Sequence, residues 1–369
     1  MKKINKTVAA QITSGAFKFL GLAFVLLVIV VLVIPFTLSI IKGRDIAPVD
    51  DSKLQLQTIN IPVEDNSFYD LEKTRDIINT NSVPKGKQLV SDYLTSAEWD
   101  EEAVEQLLAD NEVALQHFTD AAAKGLFQLP DADDQSKISL DMPVTPLNSW
   151  RETSRLSGVK AIWLASSGRS EEALDEAFKS IIVGNAIENS QGLVITHLVG
   201  IAIKNTGLDV LQKVISKIPS DSRLLAEYKL KLESLQATGN SAPYITEYLV
   251  TKEALANVHN DRYNQFGLVS KILLKNKFYY KQNLTQSYYF DFYNNLSIEA
   301  GKNCAEVKTV QSQSMLLEES NFIKMYFTEN ALGKSLMHIP EVALNNVLAS
   351  KCATEAKLKE TILLFENRE

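Results

Sequence analysis

The sequence predicts an all-α protein: an N-terminal transmembrane helix followed by an irregular, solenoid-like domain of α-helical hairpins. Three observations carry that expectation. Residues Phe19 to Ile41, FLGLAFVLLVIVVLVIPFTLSII, contain no charged side chain. From about Ser67 onward, apolar residues recur at helical spacing in one segment after another. No stretch alternates apolar and polar residues long enough, between turn signals, to read as a strand.

The first element is the apolar run. Its 23 residues make a helix of about 35 Å, enough to cross a hydrocarbon core of about 30 Å. A helix satisfies its own backbone hydrogen bonds, which lipid cannot do for it. A cleaved signal peptide has a shorter apolar stretch, about 7–15 residues, ending in a small-x-small site. The exit Leu38-Ser39-Ile40-Ile41-Lys42 offers no such site, so an uncleaved anchor is expected, with a kink near Pro35. Lys2, Lys3, Lys6 and Lys18 precede the run, and no acidic residue does. That bias places the N-terminus in the cytoplasm. The expected organisation is a cytoplasmic segment at 1–17, an anchor at 18–42, a linker at 43–66 and an extracytoplasmic helical domain at 67–369. The lipid bilayer is then a partner through residues 19–41.

Four of the 38 Lys and Arg residues precede the run, leaving 34 against 45 Asp and Glu beyond it, a net charge of −11. Nucleic acid, which demands a basic surface, is excluded as a partner. An acidic domain is also repelled by anionic headgroups. Proteins or small molecules remain.

Lys42 to Asn66 holds Pro48 and Pro62 with no helical period and reads as a tether. Helical spacing of Phe68, Leu71 and Ile77-Ile78 follows, broken at Pro84-Lys85-Gly86. Ser96 to Lys124 reads as a helix capped at Thr95 or Ser96, with Glu98 placed for a capping box and a break near Asp110-Asn111. Gly125 to Asn148, with three prolines, is a loop. Trp150 to Ser166 is a helix stopped by Gly168, and Ser170 starts the next with acids in its first turn. Leu193 to Ile203, LVITHLVGIAI, is apolar on all sides and too short to span, so it is the expected central buried helix. Asn205-Thr206-Gly207 should end it, with Leu208 to Ile218, Ser220 to Thr238 and Ala242 to Val258 as further helices.

The stretch AIWLASSGRSEEALDEAFKSII resembles one tetratricopeptide-like hairpin, although the turns at Gly168 and Gly207 lie 39 residues apart rather than at that repeat's period of about 34. The longer run Leu147 to Ile215 resembles a family of uncharacterised bacterial single-pass membrane proteins. It does so through its arginine-and-leucine helix, its A-x-x-x-G turn and its L-V-G-I-A-I buried helix. NALGKSLMHIPEVALNNVLASKCATEAKLKETILLFE is similar to that family's N-x-x-G-K-x-L portion. The resemblance implies a helical domain outside the bacterial inner membrane and brings no activity with it.

Motifs with chemistry are scarce. His117, His197, His259 and His338 lack the i+3 or i+4 partners of a zinc site. His197 interrupts the buried run, and is either a hydrogen-bonded core histidine or a ligand or proton-shuttle group. Asp131, Asp133 and Asp134 suggest calcium, but Ser136 and Met142 stand where an EF-hand needs glycine and glutamate. No cofactor, metal or catalytic residue is expected. Cys304 and Cys352 form either one disulfide or two unrelated thiols.

Phe278 to Tyr293 gathers eight of the chain's 30 aromatic residues. Tyr279, Tyr280, Tyr288, Tyr289 and Tyr293 form either an interaction surface or the core face of a helix. Two functional classes follow: an envelope-anchored scaffold or adaptor that binds another protein, or an enzyme or ligand-binding module with its site near His197.

Overall fold

The computed structural model describes residues 19–26, 29–84, 86–95, 100–130, 137–138, 147–220, 222–235, 239–258, 274–312 and 326–368. Among them the chain is all-α, and its one strand-like feature is an isolated bridge between Asn66 and Leu126. Ser96 and Glu98, the acidic loop from Asp131 to Ser136, Met142 and His259 lie outside the described residues, as does Lys18 with everything before it.

Residues 19–26 are helical. A π-helical turn, Ile29–Val33, leads into α1 (Ile34–Lys42), which carries Pro35 in its first turn. Proline's missing N–H is harmless there, and the Thr37 hydroxyl donates to the Val33 carbonyl at 2.8 Å. The side chains of Phe19, Leu20, Phe24, Phe36, Ile40 and Ile41 are all exposed.

Further along come α2 (Phe68–Lys73), α3 (Gly86–Thr95), α4 (Glu101–Asp110) and α5 (Glu112–Lys124). α3 begins at Gly86, where the sequence predicts only a break. The sequence also places the start of α4 too early: Asp100 is the cap, its carboxylate accepting from Ala103 N at 3.1 Å. The break at Asn111 does occur. The buried Asn111 amide exchanges hydrogen bonds with the Asn79 backbone, at 2.7 and 3.1 Å, and this ties the turn in place.

The centre is built from α6 (Leu147–Ser166), α7 (Ser170–Glu188) and α8 (Val194–Lys217). Gly168, at φ +76°, lets the chain turn between α6 and α7. Its N–H bonds Ala165 O and that of Arg169 bonds Leu164 O, which closes the α6 terminus. The tetratricopeptide-like spacing fails one hairpin later, because α8 runs straight through Gly207. A Cβ there would meet Ile181 Cγ1 at 2.7 Å, so this glycine admits a neighbouring helix rather than ending its own. Gly184 and Gly200 do the same: a Cβ on either would fall 2.3 Å from Lys204 N or 2.5 Å from Glu188 N. Among the described residues α8 is the one helix long and apolar enough to cross a membrane, but 67% of its most apolar stretch is buried. That is how the central helix of a folded core looks.

The chain continues through α9 (Ser222–Glu233), α10 (Ala242–Asn257), α11 (Gln282–Ala300) and α12 (Ala331–Glu366). It divides into two compact units. Unit 1 comprises Met1–Asp50, Leu255–Phe290 and Ser312–Pro340; unit 2 comprises Asp51–Ala254, Asp291–Gln311 and Glu341–Glu369. The largest apolar cluster of unit 2 joins α6, α7, α8 and α9 with Leu358, Ile362 and Phe365 of α12. A second surrounds Trp150, where Phe68 and Phe127 meet the indole edge-to-face. Cys304 and Cys352 are joined by a disulfide.

The segment read as a linker is held along its length. In unit 1 the Asp45 carboxylate accepts from Asn283 N at 2.8 Å and Leu284 N at 3.1 Å, capping α11. In unit 2 Leu54 is buried, Asp51 accepts from Tyr248 Oη at 2.9 Å, and Gln191 Nε2 donates to Gln57 O at 2.6 Å.

Candidate docking groove

A cavity of about 660 Å³ in unit 2 opens between α5, α6, α7 and α9. A second, of about 450 Å³, lies between α4, α5 and α6. Thr119, Lys160 and Trp163 line both, so the two form one groove. Helical spacing assembles it: Lys160 and Trp163 on α6, Glu172, Asp175 and Lys179 on α7, and Tyr228 and Lys231 on α9 each share one helix face, with Leu235 in the turn that follows α9. Trp163, Leu164, Phe178, Ile182 and Leu235 supply an apolar floor.

Charge is ordered along the groove. Glu176 has a side chain only 3% exposed, yet its Oε2 sits 2.6 Å from Lys179 Nζ and 3.2 Å from Lys160 Nζ. Ser157 donates to its other oxygen at 2.8 Å, and Lys179 also donates to Thr119 Oγ1 at 2.9 Å. Two ammonium groups over one carboxylate leave a net positive midpoint with donors to spare. At one end Arg169 pairs with Glu172 and lies 5.9 Å over the Trp163 ring. There too Lys231 lies 4.0 Å over Tyr228, whose hydroxyl donates to Asp175 at 2.5 Å. The opposite end carries Glu105 and Glu112, which make no ion pair among the described residues. Trp163 Nε1 is buried with no hydrogen-bond partner among them.

His197 lies elsewhere, inside unit 2, and lines neither of these cavities. Its Nδ1 is 2.7 Å from Glu188 O, which fixes the proton on Nδ1, while Nε2 is buried without a partner. Burial pulls its pKa below the usual histidine value. Glu188 opposes that shift, and Lys351 and Lys204 reinforce it. Beside it the fully buried Lys204 Nζ pairs with Glu188 Oε2 at 3.0 Å and donates to Asn185 Oδ1 at 2.9 Å. Burial also raises the Glu247 carboxyl, which accepts from Val194 N. This is a packed polar core, and His197 is the hydrogen-bonded core histidine of the two alternatives.

The five tyrosines separate. Tyr279, Tyr280 and Tyr289 are buried in unit 1 and Tyr293 in unit 2; Tyr288 alone is half-buried. Tyr280 Oη donates to Leu255 O at 3.4 Å and Tyr289 Oη to Leu336 O at 2.9 Å. Burial and the neighbouring Tyr326 push Tyr279 up to about 12. Four of the five therefore offer no face to a partner, because their rings are buried, and the hydroxyls of Tyr280, Tyr289 and Tyr293 are taken up by Leu255 O, Leu336 O and Thr251 Oγ1. Asp70, His117 and Asp120 converge within 4.8 Å, but Lys124 and Lys73 already hold the buried Asp70, at 2.6 and 2.8 Å. Two ammonium groups stand where a cation would sit.

Sequence reasoning missed the groove. Its one available signal was Trp163, an indole on a face otherwise expected to be core. The chain matches no protein-family model, no curated protein and no solved structure.

Proposed function

We propose that this protein is a membrane-anchored helical scaffold of the bacterial cell envelope that binds a segment of another protein in the groove of unit 2. The groove is the observation that carries the reading. It is apolar along its floor, edged by charge, and long enough across five helices to take an extended or helical segment rather than a small molecule alone. The acidic end, Glu105 and Glu112, suits a basic residue of that segment, and the Lys160–Lys179 midpoint suits an acceptor group.

Anchoring by residues 19–41 is supported by the exposed side chains of Phe19, Leu20, Phe24, Phe36, Ile40 and Ile41 and by the basic residues before them. A disulfide between Cys304 and Cys352 suits an oxidising compartment, which favours a cytoplasmic N-terminus and an exported domain. The family resemblance supplies the bacterial inner-membrane setting.

Photo-crosslinking in cells from position 163 or 231 tests the scaffold reading. One discrete protein partner is expected, and its capture should be lost when Phe178 is replaced by Asp in the groove floor. Capture of lipid and self only would refute it. A reporter active only outside the cytoplasm, fused after Asp65, should be active.

A further inference from the structure

Unit 1 has a composition of its own. Beyond Ile41 it holds nine Lys and Arg against six Asp and Glu, a net charge of +3, whereas unit 2 carries −14. The acidity expected to repel anionic headgroups is thus confined to one unit.

The basic unit surrounds the exit of the apolar helix. Leu38, one turn before the end of α1, packs on a cluster of Phe278, Tyr279 and Ala331 with Tyr326 and Leu332. At the exit itself, a Cβ on Gly43 would lie 3.2 Å from Lys277 Cβ. Arg44 O accepts from Lys281 Nζ at 2.7 Å. The segment 277–281 therefore stands at the height of the last turn of the apolar helix.

Exposed groups cluster at the same height. Lys42, Arg44, Lys275 and Lys277 are exposed. Tyr326 turns inward, 6.0 Å from the Tyr279 ring, while the adjoining Phe327 turns outward and is 58% exposed. Ile40 and Ile41 are 70% and 71% exposed. An outward aromatic ring and a fringe of basic side chains around the end of an apolar helix match the two layers of a bilayer interface. The ring belongs at the acyl boundary and the ammonium and guanidinium groups among the phosphates.

We propose that unit 1 is a collar seated in the outer headgroup layer, with Phe327 inserted and Lys42, Arg44, Lys275 and Lys277 recognising anionic phospholipid. This rests on the reading that residues 19–41 span the bilayer. The collar fixes the anchor's depth and its lipid surroundings, which a bare anchor on a free tether would not do.

The test uses the full chain in lipid nanodiscs of phosphatidylcholine, with or without phosphatidylglycerol, containing acyl chains brominated near the headgroup. All three native tryptophans, Trp99, Trp150 and Trp163, belong to unit 2, so the wild type supplies the background. Phe327→Trp should add blue-shifted emission that the brominated lipid quenches roughly twofold, and Ile40→Trp is the positive control. Adding K275E and K277E should remove roughly half of the quenching in discs containing phosphatidylglycerol. Unquenched, red-shifted emission at position 327 while position 40 is quenched overturns the collar and leaves the anchor standing. Equal quenching with and without phosphatidylglycerol, unaffected by K275E and K277E, overturns the recognition of anionic lipid. Failure of the chain to enter the discs overturns the anchor and the collar together.

Discussion

Replacing Lys204 by Met probes the polar core of unit 2 most directly. Lys204 and Glu188 have side chains 0% and 2% exposed and meet at 3.0 Å between α7 and α8. Methionine fills much of the same volume but leaves the Glu188 carboxylate buried without its ammonium partner. Breaking a buried pair from one side costs about 3–5 kcal/mol, a large share of the roughly 5–15 kcal/mol that holds a domain folded. The double variant Glu188→Gln with Lys204→Met removes the charge as well, and its cost should fall to about 1–2 kcal/mol, the scale of the lost hydrogen bonds. Urea unfolding followed by tryptophan emission reads this out, since Trp150 and Trp163 both sit in unit 2. The deficit of K204M should also shrink as the pH falls, because an unpaired buried carboxyl has a raised folded-state pKa and is most stable protonated. The reasoning fails if K204M lies within about 1 kcal/mol of wild type, or if the double variant is no more stable than the single one.

Gly200→Ala should destabilise unit 2 by about 1–3 kcal/mol in the same assay, since its Cβ would fall 2.5 Å from Glu188 N and overpacking outweighs alanine's helical preference; a neutral result would mean that α7 and α8 can part. Reducing the Cys304–Cys352 bond, which closes 48 residues, should cost up to about 4 kcal/mol; an unchanged urea midpoint with reductant would exclude that contribution. His197 has a depressed folded-state pKa, so its stabilisation is complete above about 6.5 and is lost as the pH falls through the folded value. Glu247, raised by burial, acts in the opposite sense at lower pH. Thermal unfolding of wild type should weaken below about pH 6.5 more than that of His197→Gln, and parallel curves would clear His197 of the effect.

Local signals carried most of the helices. Gly168 ends α6 because the turn needs a positive φ, and glycine after a periodic segment is a readable stop. Gly207 gives the same signal in sequence, yet it sits inside α8, because its missing side chain serves Ile181 and Ser180 on another helix. Sequence alone cannot distinguish a glycine that frees its own backbone from one that makes room for a neighbour's. The tether had no periodicity and so read as free chain. Its order comes from single polar contacts such as Asp45 on α11, which leave no period to detect. The buried tyrosines and the groove were illegible for a related reason. Whether Tyr289 or Trp163 faces core or cleft depends on which distant helix covers it. The split of charge between the units was hidden because unit 1 is assembled from three separate segments.

The grip of Asp45 on the first turn of α11 has a mechanical consequence. With the anchor in a bilayer as proposed, no slack separates the end of the apolar helix from unit 1. Lys42 to Asp45 act as a bracket rather than a rope. The height of unit 1 above the lipid is then set by hydrogen bonds at 2.8 and 3.1 Å and not by chain length. A pull along the anchor would load the start of α11 before it straightened any linker.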